Sequence, residues 1–188
     1  MANPFFQFKQ FTIYHNKCAM KVGTDGVLLG AWADVSGVTR ALDVGTGTGL
    51  IALMLAQRSE SLQLAAIDID EGAVLQATEN VAASPWGERI GVEQADFVSF
   101  VPAKPYELIV SNPPYFQDSL KSPNDSRTAA RHTDSLGFDQ LVAKASELLA
   151  ADGRFCVVIP TDAMAYFLAC CDQCGLFLYK RLLSLIHI

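Results

Sequence analysis

The chain has 188 residues, 51% of them hydrophobic, and a formal net charge of −6. That length suits one domain with a sizeable core, and that composition excludes a disordered chain. The acidic balance argues against a general polyanion binder but leaves room for local basic patches.

Taken in chain order, the start "MANPFFQFKQF" lacks the basic region and apolar core of a secretory leader. No apolar run is long enough to span a bilayer. Lys9, His15, Lys17 and Lys21 collect positive charge early. Phe5, Phe6, Phe8 and Phe11 suit a stacking surface for unpaired bases or a hydrophobic lid, and the lid is the commoner use. Residues 1–39 are expected to cap the domain, and residues 40–188 to form its core. Strands are expected at "RALDVG" (40–45), "LQLAAIDID" (62–70), "IGVEQAD" (90–96) and "YELIVSN" (106–112). A fifth is expected at "GRFCVVIP" (153–160) and a sixth at "LFLYKRLLSL" (176–185). Apolar spacing places helices at 49–59, 71–84, 134–150 and 162–174. Strands alternating with helices at this spacing imply an α/β fold: an open, mostly parallel sheet with helices on both faces. Cys170, Cys171 and Cys174 fall in the last helix as "CCDQC". Partner ligands for a metal are too few, so reduced thiols in a cytoplasmic protein and no metal site are expected.

The turn after the first strand reads "DVGTGTGL". Gly45, Gly47 and Gly49 permit a tight turn and close approach of a ligand to the backbone. A pyrophosphate site has the spacing G-x-G-x-x-G, whereas here an acid, Asp43, leads D-x-G-x-G-x-G. An acid there suits a ligand carrying an amino cation. Asp68 ends the second strand, where a carboxylate can grip two ribose hydroxyls, and Asp70 is expected to cap the next helix. Asp96 ends the third strand and can accept from an exocyclic amino group or simply make a turn; Phe97 can cover a purine face. An ammonium, a ribose and an adenine without phosphate describe S-adenosylmethionine. With these motifs in order, the chain from about residue 40 resembles the class I, Rossmann-like methyltransferases.

The fourth strand runs into Asn112-Pro113-Pro114-Tyr115. In the same resemblance, "NPPY" marks enzymes that methylate a planar, conjugated nitrogen. The Asn112 side-chain oxygen and the Pro113 carbonyl can accept the two hydrogens of an exocyclic amine. Pro113 and Pro114 stiffen the loop and offer no donor of their own. Tyr115 can stack on the substrate ring. The stretches "MKVGTDGVLLGAW" (20–32), "SNPPYF" (111–116) and "SRTAARH" (126–132) resemble the bacterial tRNA adenine-N6 methyltransferases that modify the purine 3′ of a valine anticodon. That resemblance implies N6-methylation of adenine in tRNA with conversion of S-adenosylmethionine to S-adenosylhomocysteine, in a cytoplasmic monomer. It further implies that Thr24 and Asp25 close over the methionine end of the cofactor and that Asn112 also faces it. Spacing alone equally allows Thr24 or Asp25 to be an ordinary helix cap. Lys21, Arg127, Arg131 and His132 become the candidate RNA contacts, although a solvated basic face reads the same way.

Two other readings compete. Glutamine-N5 methyltransferases of release factors also carry "NPPY", but usually with a helical domain for which residues 1–39 leave no room. An inactive Rossmann-like RNA-binding module would have no use for outward acceptors at Asn112. Glycine spacing disfavours a nicotinamide-dependent dehydrogenase. The family fold has a seventh, antiparallel strand. The sequence ends after the sixth, so a sheet lacking that strand, with an exposed edge, is expected.

Overall fold

The computed structural model describes residues 3–18, 21–113 and 136–184. A short antiparallel hairpin, β1 (Phe5–Gln7) with β2 (Thr12–Tyr14), precedes helix α1 (Thr24–Trp32). Then follow β3 (Arg40–Val44), α2 (Leu50–Arg58), β4 (Gln63–Asp68), α3 (Glu71–Ala82) and β5 (Ile90–Gln94). The described chain continues with β6 (Tyr106–Ser111), α4 (Phe138–Leu148), β7 (Leu149–Val157) and α5 (Met164–Gln173).

Five strands form a parallel sheet in the order β5-β4-β3-β6-β7. The order runs outward one way from β3 to β5 and the other way from β6 to β7. The reversal lies between β3 and β6, and the crevice at their carboxyl ends is where an open α/β sheet binds its ligand.

The central strands β3 and β6 are buried on both faces and nearly continuously apolar, whereas the flanking β5 and β7 are not. Ala41, Leu64, Ala66 and Val110 pack against α1 and α2 through Leu29, Ile51 and Leu55. The alternate residues Leu42, Val44, Ile67 and Ile109 face Leu141, Ala145 and Leu148 of α4. Helix α1 comes close to α2 at Gly30, where a Cβ would stand 2.7 Å from the Met54 sulfur. Two arginines tie off helix ends. Arg58 donates to the Gly30 and Ala33 carbonyls, and Arg89 to those of Ala56, Ser59 and Leu62.

The first five of the six expected strands and the helices among them are present, with ends shifted by a few residues. Residues 134–135 of the expected third helix lie outside the described residues. The hairpin was not anticipated. Its strands have three residues each, too short for a period to show. The expected strand at 176–185 requires correction. Gly175, at φ +71°, turns the chain out of α5, and residues 177–184 are exposed with no regular structure. An apolar run becomes a strand only where a neighbour supplies donors and acceptors, and β7 pairs only with β6 among the described residues.

Candidate functional site

The glycine loop connects β3 to α2. Gly45, Gly47 and Gly49 have φ of +68°, +55° and +79°. A Cβ at Gly45 or Gly47 would meet no atom within 4 Å, so the backbone itself, not packing, demands glycine there. The loop therefore forms an open cradle. The amides of Gly45 and Thr46 donate to the Ile67 carbonyl at 2.9 and 3.0 Å, fastening the cradle to the end of β4.

Asp43 lies beneath the loop and is fully buried. Its Oδ2 accepts from the Thr46 hydroxyl at 2.7 Å and from the Ala52 amide at 3.2 Å, joining the loop to the first turn of α2. Its Oδ1 is buried and has no hydrogen-bond partner among the described residues. Burial pushes the carboxyl up to about 6; the bonds from Thr46 and Ala52 pull it down and the nearby Asp68 pushes it further up. One oxygen thus holds the loop while the other concentrates unpaired negative charge under it.

Asp68 ends β4 half-exposed. Its Oδ2 accepts from the Gly47 amide at 2.8 Å and its Oδ1 from the Asp70 amide at 3.0 Å, which orients the carboxylate toward the cradle. Each oxygen keeps further lone pairs for hydroxyl donors. Asp70 is the N-cap of α3, accepting from the Ala73 amide at 2.7 Å, as expected. Between these acids stands Ile69, 67% exposed at a strand end. Sequence reasoning passed over it. The available signal was an apolar side chain between two acids, just past a buried strand.

Asp96 is exposed and folds back on its own turn, Oδ1 accepting from the Val98 amide at 3.0 Å. Phe97 is 5% exposed and packs with Leu42, Ile67 and Tyr106, so its ring belongs to the core and offers a ligand little more than an edge. On the other side of the switch point, the buried Ser111 hydroxyl donates to the Val44 carbonyl at 2.9 Å and locks β6 against β3. Asn112 and Pro113 follow, directly beside the glycine loop. A Cβ on Gly26 of α1 would lie 3.2 Å from Leu50 and 3.8 Å from the Asn112 side chain. The start of α1 therefore closes over both Asn112 and the end of the loop. Gly23 is the N-cap of that helix, and Thr24 and Asp25 form its first turn without a side-chain cap bond.

Asn80 is a second residue the sequence reading missed. It is 1% exposed on the buried stripe of α3, alongside Ala73, Gln76, Ala77 and Val81. Its Oδ1 accepts from the Tyr14 amide, and its Nδ2 donates to the carbonyls of Tyr14 at 2.8 Å and Thr48 at 2.9 Å. One amide thus joins helix, hairpin and glycine loop. Two polar residues on an otherwise apolar helical stripe were the signal. The chain after the hairpin runs along the start of α3, with the Lys17 carbonyl against Gly72, and there the Cys18 thiol is pushed up to about 11 by burial first and then by the charges of Asp68 and Asp70.

The structure thus brings together Thr24, Asp25, Asp43, the three glycines, Asp68, Asn112 and Pro113, with Asp96 at the flank. Lys21 is exposed ahead of α1. Pro114, Tyr115, Arg127, Arg131 and His132 lie outside the described residues. Cys170 and Cys171 are buried against Phe167 and Val142 on the far side of α4, away from this crevice.

Residues 23–168 match the methyltransferase small domain family. The chain belongs to that family. It is 60% identical over 163 residues to a tRNA1(Val) (adenine(37)-N6)-methyltransferase of Bacteroides thetaiotaomicron, covering 86% of this chain and 69% of the relative. A protein of the same name from Phocaeicola vulgatus is 57% identical over 178 residues, covering 95% and 76%. Among solved structures, an O-methyltransferase family protein from Burkholderia thailandensis superposes with a TM-score of 0.64 at 12% identity, over 84% of this chain and 52% of that one. That likeness establishes the class I methyltransferase architecture of the sheet.

Proposed function

We propose that this chain transfers the methyl group of S-adenosylmethionine to the exocyclic N6 of adenine 37, the purine next to the anticodon, in a valine tRNA, acting as a cytoplasmic monomer. The observation that carries this reading is the 60% identity to the Bacteroides thetaiotaomicron tRNA1(Val) enzyme over 86% of the chain. Asn112 and Pro113 at the carboxyl end of β6 supply the matching chemistry.

The donor set fits the cofactor: a cradle open at Gly45 and Gly47, a buried carboxylate with an unpartnered oxygen at Asp43, and a half-exposed carboxylate at Asp68. When bound, S-adenosylmethionine supplies an electrophilic methyl on a sulfonium and is converted to S-adenosylhomocysteine. Asp68 accepts the ribose hydroxyls. Asp43 acts through the loop it fastens, setting negative potential under the cationic methionine end, which Thr24 and Asp25 close. Ile69 covers one face of the adenine, and Asp96 with the edge of Phe97 borders its amino group.

Asn112 and Pro113 act on the target base. Two acceptors, the Asn112 side-chain oxygen and the Pro113 carbonyl, take the two N6 hydrogens and turn the nitrogen lone pair out of conjugation. Held this way beside the glycine loop, the nitrogen would present its lone pair to the methyl group that bound S-adenosylmethionine would supply. The methylated nitrogen then loses one proton to solvent, so no side chain need be a base before attack. Catalysis is chiefly positioning. Pro114 stiffens the loop, Tyr115 stacks on the base, and Lys21, Arg127, Arg131 and His132 meet the RNA. Adenine 37 must leave its stack, at a cost of about a few kcal/mol.

The test is methyl transfer from labelled S-adenosylmethionine to bacterial tRNA lacking N6-methyladenosine, followed by nucleoside analysis. Label is expected in N6-methyladenosine. Label that enters only the glutamine of a release factor overturns the reading.

A further inference from the structure

We infer that the β1–β2 hairpin is a docking platform for unpaired bases of the substrate RNA, flanking the methyl-transfer site, an assignment that rests on the tRNA reading above and adds the surface that holds the loop. The inner side of the hairpin accounts for its folding: Ile13 is wholly buried and Phe11 is 8% exposed. The outer face carries Phe5 and Tyr14, which belong to none of the core clusters. Phe5 and Tyr14 are directly opposed across the strands, with ring centroids 5.8 Å apart and exposures of 36% and 46%. Phe6, opposite Ile13 on the inner face, emerges at the rim, 48% exposed, as the outer end of a file of rings that runs into the core. It meets Phe8 at 4.8 Å, Phe8 stacks on Phe11 at 4.6 Å, and Phe11 meets the edge of Trp86 at 5.6 Å. The exposed rings are therefore held in place from the core outward, ordered before any partner arrives.

Charge complementarity selects the partner. The first 24 residues contain Lys9, Lys17 and Lys21 and no acid, in a chain whose net charge is −6. Lys9 and Lys21 are exposed, and Lys17 pairs with Glu79. Rigid aromatic rings among cations are what single-stranded nucleic acid requires: stacking for the bases and charge for the backbone. The position is suitable as well. Asn80 bonds Tyr14 and the glycine loop together. The Lys17 carbonyl packs so closely on Gly72, in the first turn of α3, that a Cβ there would lie 2.9 Å from it. The hairpin lies ahead of the 23–168 stretch matched by the methyltransferase family.

The experiment uses the full chain with Phe6→Ala, Tyr14→Ala, Tyr14→Phe and Lys9→Glu. Steady-state methyl transfer to tRNA and anisotropy of a labelled valine anticodon stem-loop are measured with S-adenosylmethionine affinity. Loss of one stacking ring is expected to raise the KM for tRNA and the stem-loop Kd about tenfold. The kcat at saturating tRNA and the cofactor affinity should stay within about twofold. Tyr14→Phe keeps the ring and should behave as wild type, whereas Lys9→Glu should weaken binding most at low salt. Unchanged KM and Kd in folded variants overturn the platform and leave the tRNA reading standing. An equal loss of cofactor affinity makes the hairpin a structural lid and overturns it too. Unchanged tRNA kinetics with reduced self-association would assign the rings to protein contact, against the inference. A wild-type chain that modifies no tRNA overturns the reading beneath it.

Discussion

Asp43 and Asp68 are both carboxylates at the carboxyl end of the sheet, and their surroundings give them different work. Asp68 keeps lone pairs for a ligand. Replacing it with alanine removes charged hydrogen bonds of roughly 1.5–3 kcal/mol each. The S-adenosylmethionine Kd, measured by calorimetry, is expected to rise by about a hundredfold or more, and the melting temperature to fall by about a few degrees because the Gly47 and Asp70 amides lose their acceptor. Asp43 is buried, and its pKa rises from the ordinary 3.8 to about 6 on folding. The folded state then binds its proton more tightly than the unfolded state. The contribution of Asp43 is thus fully present below pH about 4 and is lost as pH rises through about 6. Asp43→Asn keeps an oxygen for Thr46 and Ala52 and removes that loss. Chemical denaturation should show its stability gaining on wild type between pH 4 and 6, with a constant difference above pH 7. At this scale the sequence was a good guide to position and a poor one to direction. The glycines and acids were legible because their chemistry is tied to strand ends. That Asp43 faces α2, that Phe97 faces the core and that Ile69 faces solvent depends on which side of the sheet each residue takes, and motif spacing carries no such information.

The elements depend on polar ties that their hydrophobic periods conceal. Helix α3 carries Gln76 and Asn80 on its buried stripe, and they accept from the backbones of Lys17 and Tyr14. Asn80→Ala leaves buried backbone groups of Tyr14 and Thr48 without partners. It is expected to cost about 2–4 kcal/mol of stability, taking about 1 kcal/mol per bond and adding a desolvation penalty. Hydrogen exchange at the Tyr14 amide should accelerate well beyond the core amides of β3 and β6. Uniform acceleration would mean that the hairpin and the sheet open together. The alternating helices and strands were legible because each is long and buried on a consistent face. The hairpin was not, since two three-residue strands owe their register to Asn80 and the aromatic file rather than to any local pattern. The run after Gly175 misled for the opposite reason: its composition suits a strand, but a strand also needs a neighbour.

For the whole molecule, the same segment determines solution behaviour. Phe177 is 83% exposed and Tyr179 78%, with Leu178, Leu182 and Leu183 also open to solvent. Edge strands and contiguous apolar surface favour association. Light scattering should show a monomer that associates only at high protein concentration, and Leu182→Lys with Leu183→Glu should suppress that association with methyl transfer unaffected. The overall architecture was legible from βαβ alternation, which requires a parallel sheet and a crevice at its switch point. The order β5-β4-β3-β6-β7 was not, because neighbouring strands are chosen by packing among helices that the sequence separates. Within that architecture the cradle, the acids and Asn112 converge on one crevice, and the proposed methyl transfer rests on this convergence.

The most direct test of that claim is the mass of nucleoside 37 in an unmodified valine tRNA transcript after incubation with S-adenosylmethionine and either wild type or Asn112→Ala. Wild type should convert adenine 37 to N6-methyladenine. The variant should bind the cofactor within about threefold of wild type and turn over about 10²–10³-fold more slowly, the usual loss when one preorganised hydrogen-bonding group is removed. An Asn112→Ala protein that methylates adenine 37 at the wild-type rate, or a wild type that methylates any other position, would contradict the account.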